Sequence, residues 1–270
     1  MHLPVLKKEV LEILDSKDNE NFIDATFGEG GHAKAILEKT RGRVLAIEVD
    51  SDVFKKIIPT ERLTVVNDSY VNLKQIVEKN NFKPVNGILF DLGMSSWHID
   101  ESGRGFSFLK DEPLDMRFNV SQSLTAEKIV NEWSEDQIEN ILKEYGEERL
   151  AKVIASRIIK ARPIKTTFEL KRLIPGKTKP ARTFQALRIA VNDELNNLKT
   201  GLEQSTEVLE KGGRLAVISF HSLEDRIVKN FLKNNNNLEI LNKKVIKPSK
   251  EEIKINYRSR SAKIRGAVRK

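Results

Sequence analysis

Short apolar runs alternate with helical patterns along the chain. Phe22-Ile23-Asp24-Ala25-Thr26-Phe27, Arg43-Val44-Leu45-Ala46-Ile47-Glu48, Leu63-Thr64-Val65-Val66, Val85-Asn86-Gly87-Ile88-Leu89-Phe90-Asp91 and Gly213-Arg214-Leu215-Ala216-Val217-Ile218-Ser219-Phe220 each read as a strand. They are apolar at successive positions rather than at alternate ones, as expected of strands covered by helices on both faces. Residues 33–39, 51–58 and 72–79 carry helical patterns between them. This alternation predicts an α/β fold with a doubly wound parallel sheet. Runs at 238–246 and 261–269 supply two last strands, seven in all.

More than a hundred residues separate the fourth strand from the fifth, far too many for a single crossover. Within them Ile138, Ile141, Leu142, Tyr145, Leu150, Val153, Ile154 and Ile158 recur at spacings of three and four, a helical period. Pro163, Pro175 and Pro180 punctuate the stretch. The expected organisation is a sheet domain beginning at 1–109, an inserted helical subdomain at 110–180, and the rest of the sheet domain with a basic tail at 181–270. One long helix over 182–209, with Phe184, Leu187, Val191, Leu195, Leu198 and Leu202 on one face, returns the chain to the sheet.

Charge adds a partner to this picture. The chain of 270 residues is 39% hydrophobic and 32% charged, an ordinary globular balance, and has net charge +8. Residues 243–270 hold eleven Lys and Arg against Glu251 and Glu252 alone, so nearly all the excess sits at one end. A second block, 152–182, has ten Lys and Arg against Glu169; the stretch before it, 127–148, is acidic. Two basic blocks point to a polyanion, and to nucleic acid in particular. With no cysteine, disulfides, thiolate metal sites and cysteine nucleophiles are excluded. His2, His32, His98 and His221 show no paired metal spacing, so no metal is expected. No run approaches a membrane span and the start does not read as a secretory signal, so a cytoplasmic protein without membrane contact is expected.

The first strand is followed by Gly28-Glu29-Gly30-Gly31-His32-Ala33. Glycines at a strand-to-helix turn let backbone approach a ligand, and Glu48, ending the second strand, can accept both hydroxyls of a ribose. The same spacing satisfies the dinucleotide fingerprint, so NAD and S-adenosylmethionine are not separated by it. Asp91 ends the fourth strand at the sheet edge where such folds bind ligands, and could hold an ammonium or meet a substrate amine.

Longer motifs carry a resemblance. Gly28-Glu29-Gly30-Gly31-His32, Phe90-Asp91-Leu92-Gly93-Met94-Ser95-Ser96, Arg104-Gly105-Phe106-Ser107-Phe108, Pro113-Leu114-Asp115-Met116-Arg117, Arg182-Thr183-Phe184-Gln185-Ala186-Leu187-Arg188, Val191-Asn192-Asp193-Glu194-Leu195, Ser219-Phe220-His221-Ser222-Leu223-Glu224-Asp225-Arg226 and Asn256-Tyr257-Arg258-Ser259-Arg260-Ser261-Ala262-Lys263 occur in one order. With them the chain, from His2-Leu3-Pro4-Val5-Leu6 onward, resembles the 16S rRNA cytosine-N4 methyltransferases. The resemblance implies a class I S-adenosylmethionine-dependent methyltransferase fold, Rossmann-like, with a helical insertion. It implies methyl transfer to the exocyclic amine of a cytidine in the ribosomal decoding region. The family's cofactor contacts fall on Gly30, Gly31, His32, Glu48, Tyr70, Asp91 and His98. Glu48 stands where the family generally has Asp, Tyr70 where it has Phe, and Trp97-His98 where it has Pro-Gln.

The delocalised exocyclic nitrogen of cytosine is a poor nucleophile, and an acceptor for its proton would help. Asp115, or the Ser219–His221 edge of the fifth strand, is the expected acceptor. Arg117 is the alternative partner of Asp115, and Ser222-x-x-Asp225 reads as a capping box beside His221. Arg182, Arg258, Arg260, Lys263 and Arg265 are expected on RNA phosphates, and Trp97, Phe106 and Phe108 as stacking surfaces for an extruded base. The partners expected are 16S rRNA in the small ribosomal subunit and a second copy of the chain. An NAD-dependent oxidoreductase, a non-catalytic RNA-binding or assembly factor, and a methyltransferase of DNA cytosine are the competing readings.

Overall fold

A computed structural model describes residues 4–270, which form two units, 4–93 with Leu195–Lys270, and Met94–Glu194. In the first, the order is α1 (Lys7–Leu14), β1 (Phe22–Asp24), α2 (Gly31–Leu37), β2 (Val44–Glu48), α3 (Ser51–Phe54), β3 (Leu63–Asn67), α4 (Leu73–Lys79) and β4 (Gly87–Asp91). The second holds α5 (Ser96–Asp100), α6 (Ala126–Glu132), α7 (Glu135–Glu144), α8 (Ala151–Ala161), α9 (Thr167–Leu173) and α10 (Pro180–Asn192). The chain then continues through α11 (Glu194–Val208), β5 (Arg214–Ser219), α12 (Ser222–Asn234), β6 (Leu238–Ile240), α13 (Lys250–Ile255) and β7 (Lys263–Arg269). Residues 110–180 lie inside the second unit. His2 and Leu3 of the motif at the start lie outside the described residues.

The seven strands form one sheet in the order β3-β2-β1-β4-β5-β7-β6. β1 to β5 are parallel and β7 runs antiparallel between β5 and β6. Their side chains alternate between two cores. Ile23, Leu45, Ile47, Ile88, Phe90, Leu215 and Val217 pack with α4, α11 and α12. Phe22, Val44, Leu89, Ala216 and Ile218 pack with α1 and α2. Two covered faces explain why these strands are apolar at every position. Because β1 lies between β2 and β4, chain direction across the sheet reverses there, and the carboxyl edge of β1, β2 and β4 is where such sheets leave a crevice.

The second unit has its own core, in which Leu142 and Ile154 are fully buried with Ile129, Ile138, Ile158 and Leu187. Leu142→Ala is expected to cost about 2–5 kcal/mol. A urea-unfolding midpoint unchanged within error would show that this core is not close-packed.

Two expectations differ from the structure. The single helix over 182–209 is two helices, α10 and α11. Asp193 between them has φ 48° and donates its N–H to Ile189 O, closing α10 as a left-handed cap. The apolar stripe divides at this break: Phe184, Leu187 and Val191 enter the core of the second unit, Leu198 and Leu202 that of the first. The strand expected over 238–246 ends at Ile240; beyond it the Leu241 N–H and the Asn242 side chain still bond to β7, and Ile246 returns as an isolated bridge to Ile264.

Candidate functional site

Three acids close the carboxyl ends of adjacent strands: Asp24 on β1, Glu48 on β2 and Asp91 on β4. The glycine turn is shaped around them. Gly28 donates its N–H to Glu48 Oε2 at 2.9 Å, and the Asp50 N–H reaches Glu48 Oε1 at 2.8 Å. Gly30 has φ 75°, and a Cβ there would stand 2.5 Å from the Phe27 ring, so only glycine fits. Gly31 opens α2 and His32 follows, buried. His32 Nε2 lies 3.4 Å from Asp91 Oδ2. Asp91 is fixed through its backbone, whose N–H reaches Thr26 Oγ1 at 2.6 Å. Tyr70 sets its ring edge-on to Phe90 at 5.4 Å.

The electrostatics of this edge are unsatisfied. Burial pushes the Asp24 carboxyl up to about 6; His32 and the Thr26 and Ala33 N–H groups pull it down, and Asp91 adds to the rise. Burial opposes a charge on His32, but Asp91 and Asp24 outweigh it and its pKa is raised. Burial pushes Glu48 up to about 7 against the Asp50 and Gly28 N–H groups, with the Asp50 and Asp24 carboxylates adding to the rise. Asp24 Oδ2, both ring nitrogens of His32 and Asp91 Oδ1 are buried without a hydrogen-bond partner. Buried polar atoms are ordinarily satisfied, and four gathered beside a glycine turn fit a ligand that brings its own donors and a positive charge. A sulfonium donor with an ammonium and a ribose is such a ligand.

The other expected residues are held as follows. In the second unit His98 is buried on α5, its Nδ1 2.8 Å from Ser95 Oγ and its ring edge-on to Trp97, Phe106 and Phe118. Both oxygens of Asp115 accept from Arg117, each at 2.7 Å. Of the aromatic residues expected to stack on a base, Phe106 is instead core, buried and stacked on Phe118. Phe108 and Trp97 are half-buried beneath the cations of Lys171 and Arg104. Arg182 is exposed on α10 and donates to Glu147 O at 3.2 Å.

In the first unit the capping box is His221 with Glu224, one residue earlier than Ser222-x-x-Asp225. His221 Nδ1 accepts the Glu224 N–H, and Nε2 lies 3.1 Å from Glu224 Oε1. Nδ1 is thus taken up by the start of α12, while Nε2 is buried beside Glu224 without a hydrogen-bond partner. The Arg265 side chain is 13% exposed and its Nε lies 2.7 Å from Asp225 Oδ1, with Lys263 Nζ 3.6 Å from the same carboxylate. That pair also outweighs burial and lowers the pKa of Asp225. Arg258 and Arg260 are exposed, Arg260 over the Tyr257 ring at 4.7 Å.

The whole chain, residues 1–270, matches the MraW methylase family. The chain belongs to that family. A protein of Thermosipho melanesiensis named Ribosomal RNA small subunit methyltransferase H is 47% identical over 99% of this chain and 97% of its own length. One of the same name from Halothermothrix orenii is 45% identical over 99% and 98%. A solved structure from Clostridium thermocellum, named as a candidate rRNA-methylase, superposes with TM-score 0.50 at 13% identity, all of both chains being covered, and agrees in fold. Membership of a methylase family decides the ambiguity of the glycine turn against the nicotinamide-dependent oxidoreductase.

Reading strands by their ends passed over two residues of the edge. Asp24 sits inside an apolar run and is 1% exposed. An acid in a fully buried strand is itself a signal, since burial there is costly without a partner or a ligand. Thr26, which anchors the Asp91 backbone, carries no comparable mark.

Proposed function

We propose that this methylase uses S-adenosylmethionine to methylate the exocyclic N4 amine of a cytidine in 16S rRNA, in the decoding region of the small subunit. Its substrate is small-subunit rRNA, as the names of the 45–47% identical relatives support. The observation that carries the donor assignment is the set of unpartnered buried atoms on Asp24, His32 and Asp91 beside Glu48. When bound, the donor supplies an electrophilic methyl group on a sulfonium.

The chain's residues bind and orient. Glu48 accepts the ribose hydroxyls, and Asp91, with His32 and Asp24 behind it, takes the ammonium. The close backbone at Gly30 and Gly31 admits the donor, and Tyr70 and His98 supply aromatic contacts. Orientation of this kind accounts for much of the rate in a transfer whose leaving group is already activated. Asp115 accepts the proton of the amine. Its Oδ1 already accepts two bonds from Arg117, the Nε–H and the backbone N–H, but Oδ2 accepts one and retains a second lone pair. Arg258, Arg260 and Arg182 neutralise phosphates.

The test is nucleoside mass mapping of small-subunit rRNA from cells with and without the protein, with Asp115→Asn alongside. A single N4-methylated cytidine is expected to disappear with the protein. The variant should lose about 100- to 10,000-fold in kcat with donor affinity unchanged. An unaltered methylation map sinks the function and favours the non-catalytic factor; undiminished kcat in the variant removes only Asp115.

A further inference from the structure

The ten basic side chains of 152–182 are Lys152, Arg157 and Lys160 on α8, Arg162 and Lys165 before α9, Lys171 and Arg172 on it, Lys177 and Lys179 after it, and Arg182 on α10. None forms an ion pair among the described residues. Elsewhere in the same unit Arg117, Lys143 and Arg188 pair with Asp115, Glu139 and Glu194. Arg157, Arg162 and Arg182 donate only to backbone carbonyls. The acids nearest α9 are engaged by backbone. Glu169 accepts the Lys165 N–H, Asp111 the Phe168 N–H and Glu112 the Gly105 N–H. An unneutralised run of this length leaves a positive field that attracts a polyanion.

On α9 that field meets an aromatic surface. Phe168, Lys171, Arg172 and Ile174 line a groove of about 380 Å³. Phe168 is half-buried and takes no part in the core of the unit. Lys171 Nζ lies 5.5 Å from the centre of its ring and 5.8 Å from that of Phe108. Leu109, beside Phe108 in sequence, is 73% exposed. A phenylalanine left outside the core, with an ammonium over one face of its ring and the other face for a base, has the make-up of a surface on which an unpaired base stacks while its phosphates meet ammonium and guanidinium groups. A duplex keeps its bases stacked inside, and would use the cations but not the ring.

We propose that the α9 groove is an accessory single-stranded RNA site, in which one unpaired base stacks on Phe168 and Lys171 and Arg172 take the flanking phosphates. It rests on the reading of this chain as an rRNA methyltransferase, and adds a specificity element that selects unpaired substrate.

The test uses the full chain, a fluorescent seven-residue oligouridylate, a twelve-base-pair RNA duplex and a hepta-glutamate peptide, by anisotropy across a salt series. Phe168→Leu keeps an apolar side chain and removes the aromatic face. It is expected to weaken oligouridylate binding about tenfold, to leave duplex binding unchanged, and to be restored by Phe168→Tyr. Lys171→Gln with Arg172→Gln is expected to weaken both RNAs and to lower the single-strand salt slope by about 1.4. Affinity for S-adenosylmethionine should not move in any variant, which also reports that the fold is intact. Wild-type binding of oligouridylate unaffected by either change overturns the proposal while leaving methylation in place. Wild-type binding of the acidic peptide as tight as that of the RNA shows that the groove reads charge alone, and overturns it too. A wild-type protein that neither binds RNA nor methylates rRNA overturns the proposal together with the function beneath it.

Discussion

Asp91→Asn is expected to weaken binding of S-adenosylmethionine by about 30-fold or more. Truncating one member of a buried, hydrogen-bonded charge pair costs about 2–5 kcal/mol, much of it from stranding the other charge. Here the stranded charge is the donor's ammonium, and the loss falls in the range of roughly 30- to several-thousand-fold. The substitution keeps the side-chain shape. The backbone bond from Asp91 N–H to Thr26 Oγ1 is untouched, so the strand end should stay in place. His32, whose raised pKa depends on Asp91 and Asp24, should titrate lower in the variant. Isothermal titration reads the affinity and a proton NMR titration the histidine. Wild-type affinity in the variant would remove the ammonium from this edge. A lowered affinity with unchanged His32 would separate the charge effect from the contact between the two side chains.

The second large effect is one of pH. Glu48 is pushed up to about 7, so near neutrality only part of the free protein carries the carboxylate that accepts ribose hydroxyls. Binding favours the ionised form, and the apparent dissociation constant scales inversely with the competent fraction. Donor affinity should therefore rise about tenfold from pH 6 to pH 8. Glu48→Gln should bind more weakly and lose most of that rise. The groups facing Glu48 are the Gly28 and Asp50 N–H groups and the Asp50 and Asp24 carboxylates, the last titrating at about 6. Stability runs the opposite way. An acid whose pKa is higher in the folded state stabilises fully below its unfolded value and loses that contribution as pH rises through the folded one. In the free protein Glu48 should cost stability as pH rises from about 4.5 to 7, and thermal unfolding of Glu48→Gln should lack that part of the fall. Parallel pH curves for the two proteins would place the titration on another group.

Much of the edge was legible from sequence because position and residue type act together there. Glu48 and Asp91 end apolar strands, and a charged residue at the carboxyl end of a parallel strand has few structural reasons to be there. The glycines were legible because Gly30 needs a conformation and a clearance that no side chain tolerates. The fates of His221, Phe106, Lys263 and Arg265 were not. Asp225, which neutralises Arg265, lies forty residues away and meets it only once β7 packs beside α12. Phe106 reads as an exposed aromatic in a loop until Phe118 stacks on it.

The chain's own pattern determined seven strands, the parallel run of the first five covered on both faces, and a helical insertion, because burial on two faces and helical periodicity write themselves at short range. Folding alone decided how the charges were used. Asp24 was trapped in the sheet with His32 and Asp91 facing it, Asp115 was given to Arg117, Arg265 to Asp225, and the ten cations of 152–182 were left without carboxylates. Electrostatic pairing depends on distances of a few ångströms between residues remote in sequence, and no local period encodes them.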